Sequence, residues 1–138
     1  RIIGISERTD AEGQILKELD PQEVEKAIRH LVEEEGVDAI AVEKPNVPSL
    51  REFKLGLFGE KTIFLGLVDV ADSFVEPPSQ IADDIIMALK EVPAHQLVIT
   101  PDCGIKHFPE QLALQKLHSM RQAVDAVNTE ITKISLPQ

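Results

Sequence analysis

The sequence predicts an α/β fold made of parallel strand–helix units, either a partial (β/α)8 (TIM) barrel or a compact open-sheet α/β domain. Two observations predict it. Short β-branched apolar runs alternate with longer segments of helical periodicity along the body of the chain. Several of those helical segments open on a capping residue or a proline, the signals that start a helix. Alternation of this kind implies parallel strands joined by right-handed crossovers, with helices covering the sheet.

The amino-terminal part, residues 1–36, is the less regular one. RIIGIS reads as a strand, RTDAEG as a turn, and QILKEL as a returning second short strand. Asp20 to Gly36 is the most legible element. Asp20 caps, Pro21 suits the first helical position, Glu23 completes a capping box, and Val24, Ala27, Ile28, Leu31 and Val32 recur at helical spacing. Gly36 ends the helix, and Val37 to Val42 follows as a strand apolar enough to be covered on both faces.

The unit then repeats. Ser49 and Glu52 cap a shorter helix carrying Leu50, Phe53 and Leu57, and Thr62 to Val70 forms the next strand, with a glycine in its interior. Pro77, Pro78 and Ser79 open a helix that turns Ile81, Ile85, Ile86 and Leu89 inward; Gln96 to Thr100 is another strand. A last helix from about Pro109 to Ile131 carries Leu112, Leu114, Leu117, Met120, Val124 and Val127. Strand–helix units thus occupy 37–131, 132–138 is a tail, and the expectation is one domain over 1–138.

Composition bounds the function. With 24 acids against 14 bases the net charge is −10, so the surface repels phosphate backbones and anionic lipid, and nucleic acid is excluded as a partner. The chain has no tryptophan, no tyrosine and five phenylalanines, which leaves little surface for stacking bases or sugars. No apolar run approaches the roughly 18 residues of a membrane span, and no leader pattern opens the chain. One cysteine excludes an internal disulfide and suits a reducing compartment, so a soluble cytoplasmic protein is expected.

In parallel α/β sheets, ligands gather beyond the carboxyl ends of the strands, where loops vary freely. That rule selects Glu43 from VDAIAVE, Asp69 from TIFLGLVDV, and Asp102 and Cys103 from QLVITPDC. A carboxylate and a thiol on neighbouring strands suit a soft divalent ion, zinc above all, but catalytic zinc takes three protein ligands and structural zinc four. His107, four residues beyond Cys103, can reach the rim; His95 lies at the amino end of its strand, and His30 and His118 lie in helices. Each candidate also has a bland reading. Cys103 is a small buried packing residue, Glu43 a loop charge, Asp69 a loop cap, and Gly104 a turn residue with positive φ. A nucleophilic Cys103 would need a neighbouring base in an electropositive setting, and Asp102 and the acidic surface work against it. No phosphate loop or HExxH pattern is present.

The stretches VDAIAVE, FLGLVDVADSFVEPPSQIADDI and VPAHQLVITPDCGIKHFPEQLALQKLHSMRQAVDAV, from Val37 to about Ile131, resemble the carboxyl-terminal part of cobalamin-independent methionine synthase. PDCGIK, one strand–helix unit beyond GLVDV, is the most specific element. The resemblance implies a (β/α)8 barrel that transfers a methyl group from a methylated folate to the thiolate of homocysteine, held by zinc. It implies Glu43 and Cys103 as two zinc ligands; beside them, Asp69 and Asp102 are expected to orient ligands or the substrate amine. The family's remaining ligands, a His and a Cys with one residue between them on an earlier strand, have no counterpart here. Where the large synthases carry a histidine proposed to act as an acid on the folate, this chain has Ala71.

The first 42 residues, with ERTDAEG, LDP and EGVDAIAV, resemble a segment of the hydantoinase and oxoprolinase family. Eight strand–helix units need roughly 200 to 250 residues, so the chain is expected to be an incomplete barrel. Exposed parallel edges would favour self-association into a homo-oligomer. The function expected is therefore that of a methionine-synthase-like methyltransferase domain, incomplete and inactive alone. The alternatives are a noncatalytic α/β domain without metal and a hydantoinase-like fragment.

Overall fold

A computed structural model describes residues 2–5, 21–33, 36–43 and 55–135. Four strands, β1 (Ile2–Ile5), β2 (Ala39–Glu43), β3 (Thr62–Val68) and β4 (Leu97–Pro101), form one sheet in the order β1-β2-β3-β4. Every neighbouring pair is parallel. The order never reverses, so right-handed crossovers lay successive helices on the same face, as around a barrel wall and unlike a doubly wound sheet.

The helices are α1 (Pro21–Glu33), α2 (Pro78–Leu89) and α3 (Glu110–Ser135). Gly36 adopts φ +85°, the left-handed conformation that ends a helix at little steric cost to glycine. Pro77 and Pro78 start α2 as expected, since the first turn needs no backbone donor. The predicted helix from Ser49 is described only at its end, a 3₁₀ turn at Leu55–Phe58; Ser49, Leu50, Glu52 and Phe53 lie outside the described residues. Asp20 and the returning strand QILKEL lie outside them too.

Strand alternation separates two faces. Ile40 and Val42 of β2 and Ile63, Leu65 and Leu67 of β3 are buried in one cluster with Ile81, Ile85 and Ala88 of α2 and Ala123 and Val127 of α3. Leu55 and Phe58 close the same cluster. On the opposite face Ala41, Glu43 and Phe64 are only half-buried, so β2 is not the doubly covered strand its apolar run suggests. The inward assignment of Ile86 fails, and Leu114 of the last helix is not part of its core face either. Ile86 and Leu114 are 47% and 52% exposed, because each falls off the stripe that i+3 and i+4 steps trace along its helix. The core position on α3 goes instead to Lys116, which is 0% exposed.

Near the carboxyl ends the β3–β4 register slips between Gly66 and Val68 of β3. The extra residue lies in β3, where Leu67 and Val68 together oppose Pro101 of β4, and the Asp102 N–H donates to the Val68 carbonyl at 2.9 Å. Among the described residues no helix is long and apolar enough to cross a membrane.

Candidate functional site

Parallel strands in sequential order bring their carboxyl ends to one rim, and all four selected residues lie there. Glu43 is the last residue of β2 and is in register with Gly66 of β3, which is in register with Thr100 of β4. At the usual strand spacing the Glu43 and Thr100 Cα atoms stand about 10 Å apart across Gly66. A Cβ built on Gly66 would lie 2.8 Å from both Cα and Oδ1 of Asp102. The missing side chain on β3 therefore leaves the room that the Asp102 carboxylate fills. By strand alternation Glu43 and Asp102 share the face turned away from the helix core.

Asp69 follows β3 directly. Its Oδ1 accepts the Ala71 N–H at 2.7 Å, a local turn that ends the strand at Val68 rather than Val70. The loop-cap reading of Asp69 is thus realised without removing its carboxylate from the rim, where the residue remains half-buried. Its backbone is held as well: the N–H donates to Glu76 Oε1 at 3.2 Å, and the carbonyl accepts from Lys116 Nζ at 2.9 Å.

Cys103 is exposed and carries a free thiol, which overturns its reading as a buried packing residue. It stands one position beyond Asp102 at the open mouth of the loop after β4. Gly104 does not have a positive φ and has open space where a side chain would go, so neither a turn nor a close approach demands glycine there. His107 does reach the rim, and its Nε2–H donates to the Val70 carbonyl at 2.7 Å, tying the β4 loop to the β3 loop. His30 and His118 are exposed on their helices, and His95 belongs to the 3₁₀ turn Ala94–Gln96 before β4.

Among the described residues no group of three or more His, Cys, Asp and Glu side chains is placed to hold a metal ion. Glu43 and Cys103 do not make a zinc site by themselves.

Two rim-supporting residues escape a search for strand-end acids, namely Glu76 and Lys116. They form a buried ion pair at 3.3 Å, with side chains 8% and 0% exposed. The available signal was a lysine in register with Leu112, Ala123 and Val127 on the core stripe of a helix, where lysine is rare unless paired.

Comparison with known proteins gives the family and the fold. The family model for the catalytic domain of cobalamin-independent synthase matches residues 8–126. The methionine synthase of Sulfurisphaera tokodaii is 32% identical over 72 residues, covering 52% of this chain and 21% of that protein. That of Thermococcus kodakarensis is 36% identical over 75 residues, covering 52% and 22%. A solved B12-independent methionine synthase from Shewanella sp., in complex with selenomethionine, superposes with a TM-score of 0.72 at 26% identity, over 80% of this chain and 32% of that one. The chain thus spans about a fifth of the length of the curated relatives it matches.

The hydantoinase and oxoprolinase resemblance of the first 42 residues is not supported. The family match runs through most of that segment, and β1 (Ile2–Ile5) pairs in parallel with β2 in the same sheet. The chain belongs to the family of cobalamin-independent synthase catalytic domains.

Proposed function

We propose that the strand-end rim is part of the amino-acid site of a cobalamin-independent methionine synthase, in which the thiol of a homocysteine-like substrate takes a methyl group from a methylated donor. One observation carries the reading: Glu43, Asp69, Asp102 and Cys103 end consecutive parallel strands on one rim, inside the span that matches the family. The relative solved with selenomethionine supports an amino-acid ligand of that size and chemistry.

In this reading Asp69 and Asp102 face the substrate's ammonium group, since carboxylates fixed by backbone contacts favour a cation without reorganising. Glu43 and Cys103 are offered as two ligands of a zinc site that this chain alone leaves short of the usual three. The missing donors, and the rest of the barrel wall, would come from further chain or from a second copy meeting an open sheet edge; β1 and β4 are the edges, and Val98 on β4 is 38% exposed. The free thiol suits a reducing, cytoplasmic setting. A second reading, a noncatalytic domain that binds no metal, is favoured by the lack of a His-x-Cys pair in a chain with one cysteine.

Calorimetric titration with L-selenomethionine tests the amino-acid site. Saturable binding that weakens at least tenfold in Asp69→Asn and in Asp102→Asn is expected. Absence of binding, or binding indifferent to both changes, rejects it.

A further inference from the structure

Lys116 is a fully buried cation whose three N–H donors find three acceptors: the Asp69 carbonyl at 2.9 Å, the Phe74 carbonyl at 2.5 Å and Glu76 Oε1 at 3.3 Å. The Phe108 ring covers the ammonium, its centroid 5.5 Å from Nζ. Glu76 Oε1 also accepts the Asp69 N–H at 3.2 Å, and the Glu76 carbonyl accepts the Ser119 hydroxyl. One ion pair therefore grips both backbone polar groups of Asp69, which fix the direction of its side chain.

A pair of this kind is a poor device for stability alone. Burying two charges costs about as much as their attraction returns, and apolar residues of similar volume stabilise a core as well or better. Glu76 Oε2 is moreover buried without a hydrogen-bond partner, which an arrangement selected for stability would avoid. What leucine and methionine could not supply is the directional hold on Asp69 and, through Phe108, a link to the loop after β4. Phe108 follows His107, whose imidazole donates to the Val70 carbonyl from that same loop.

We infer that Glu76 and Lys116 are positioning residues that aim the Asp69 carboxylate at the rim and lock the loops after β3 and β4 together. The inference rests on the proposed role of Asp69 toward an amino-acid ligand. It concerns neither the metal nor the methyl donor.

The test uses the whole 138-residue chain and three variants, Glu76→Gln, Glu76→Leu and the double variant E76L/K116M. Each is read by L-selenomethionine calorimetry and by amide hydrogen exchange at Asp69 against amides of α2. Glu76→Gln keeps an acceptor at Oε1, so binding within threefold of wild type and unchanged Asp69 exchange are expected. The apolar double variant removes the charge imbalance along with the pair; it should fold, bind at least tenfold more weakly and exchange the Asp69 amide at least tenfold faster, with α2 unchanged. If it does not fold, E76M/K116M, equally free of buried charge and closer to the native side-chain volumes, carries the same two readouts. Wild-type exchange at Asp69 in the apolar variants, or a glutamine variant no better than the leucine one, overturns the inference. Should the wild-type chain fail to bind selenomethionine, the amino-acid reading falls, and the exchange measurement still decides whether the pair holds Asp69.

Discussion

The two ends of the sheet solve the same mechanical problem with different chemistry. At the amino end, buried Gln96 donates from Nε2 to the Gly59 and Lys61 carbonyls at 2.6 and 2.7 Å. Lys61 reaches the Val37 carbonyl, and Thr62 N–H meets the Asp38 carbonyl at 3.2 Å. The buried tie at this end is a neutral amide, and the charged Lys61 beside it is only half-buried. At the carboxyl end the buried tie is a full ion pair, and in front of it lie an exposed thiol and half-buried carboxylates. In the proposed reading, charge sits where orientation matters and the opposite end of the strands serves stability, the division expected of barrel-type α/β proteins.

Breaking the two ties should expose that division. Lys116→Met leaves Glu76 buried without its cation and should cost about 3–5 kcal/mol in urea unfolding, the largest effect expected of any single change here. E76L/K116M should recover most of that loss, because the buried charge is gone from both sides. Gly66→Ala comes next. Its new methyl would press on the Asp102 backbone at 2.8 Å, so a loss of about 1–3 kcal/mol is expected together with weaker selenomethionine binding.

Gln96→Leu should cost about 1–3 kcal/mol by stranding two carbonyls, yet leave ligand binding at the far rim unchanged. An effect on binding as large as that of Lys116→Met would erase the distinction between the ends. Smallest in stability is Asp69→Asn, within about 0.5 kcal/mol of wild type as a half-exposed change, but with binding reduced at least tenfold. Zinc competition with a chromophoric chelator sharpens the picture on the metal side: Cys103→Ser should weaken whatever zinc affinity the chain shows, and an unaltered titration would remove the thiol from the site.

Much of this architecture was legible from one sequence because it rests on local signals. Pro77–Pro78 and Gly36 mark helix ends through backbone constraints that act at their own positions, and the short β-branched runs mark strands. The rim residues were legible for a topological reason: once strands are parallel, the residue that ends each one is fixed at the same edge. What escaped depends on partners distant in the chain. Lys116 and Glu76 meet across 40 residues, and a reading that counts apolar positions along α3 passes over a lysine whose compensation lies on another loop. Gly66 signals nothing until Asp102 is seen to occupy the space above it. The exposure of Cys103 is likewise a property of an open loop mouth and not of the residue type, which favours burial.

An amide chemical-shift map of the uniformly labelled chain, followed through a titration with L-selenomethionine, addresses the claimed rim most directly. The account predicts that Asp69, Ala71, Asp102 and Gly104 move together along one saturation curve, while Gly59, Lys61 and Gln96 hold still. Shifts centred on the amino-end residues, or none at the carboxyl rim at saturating ligand, would contradict it.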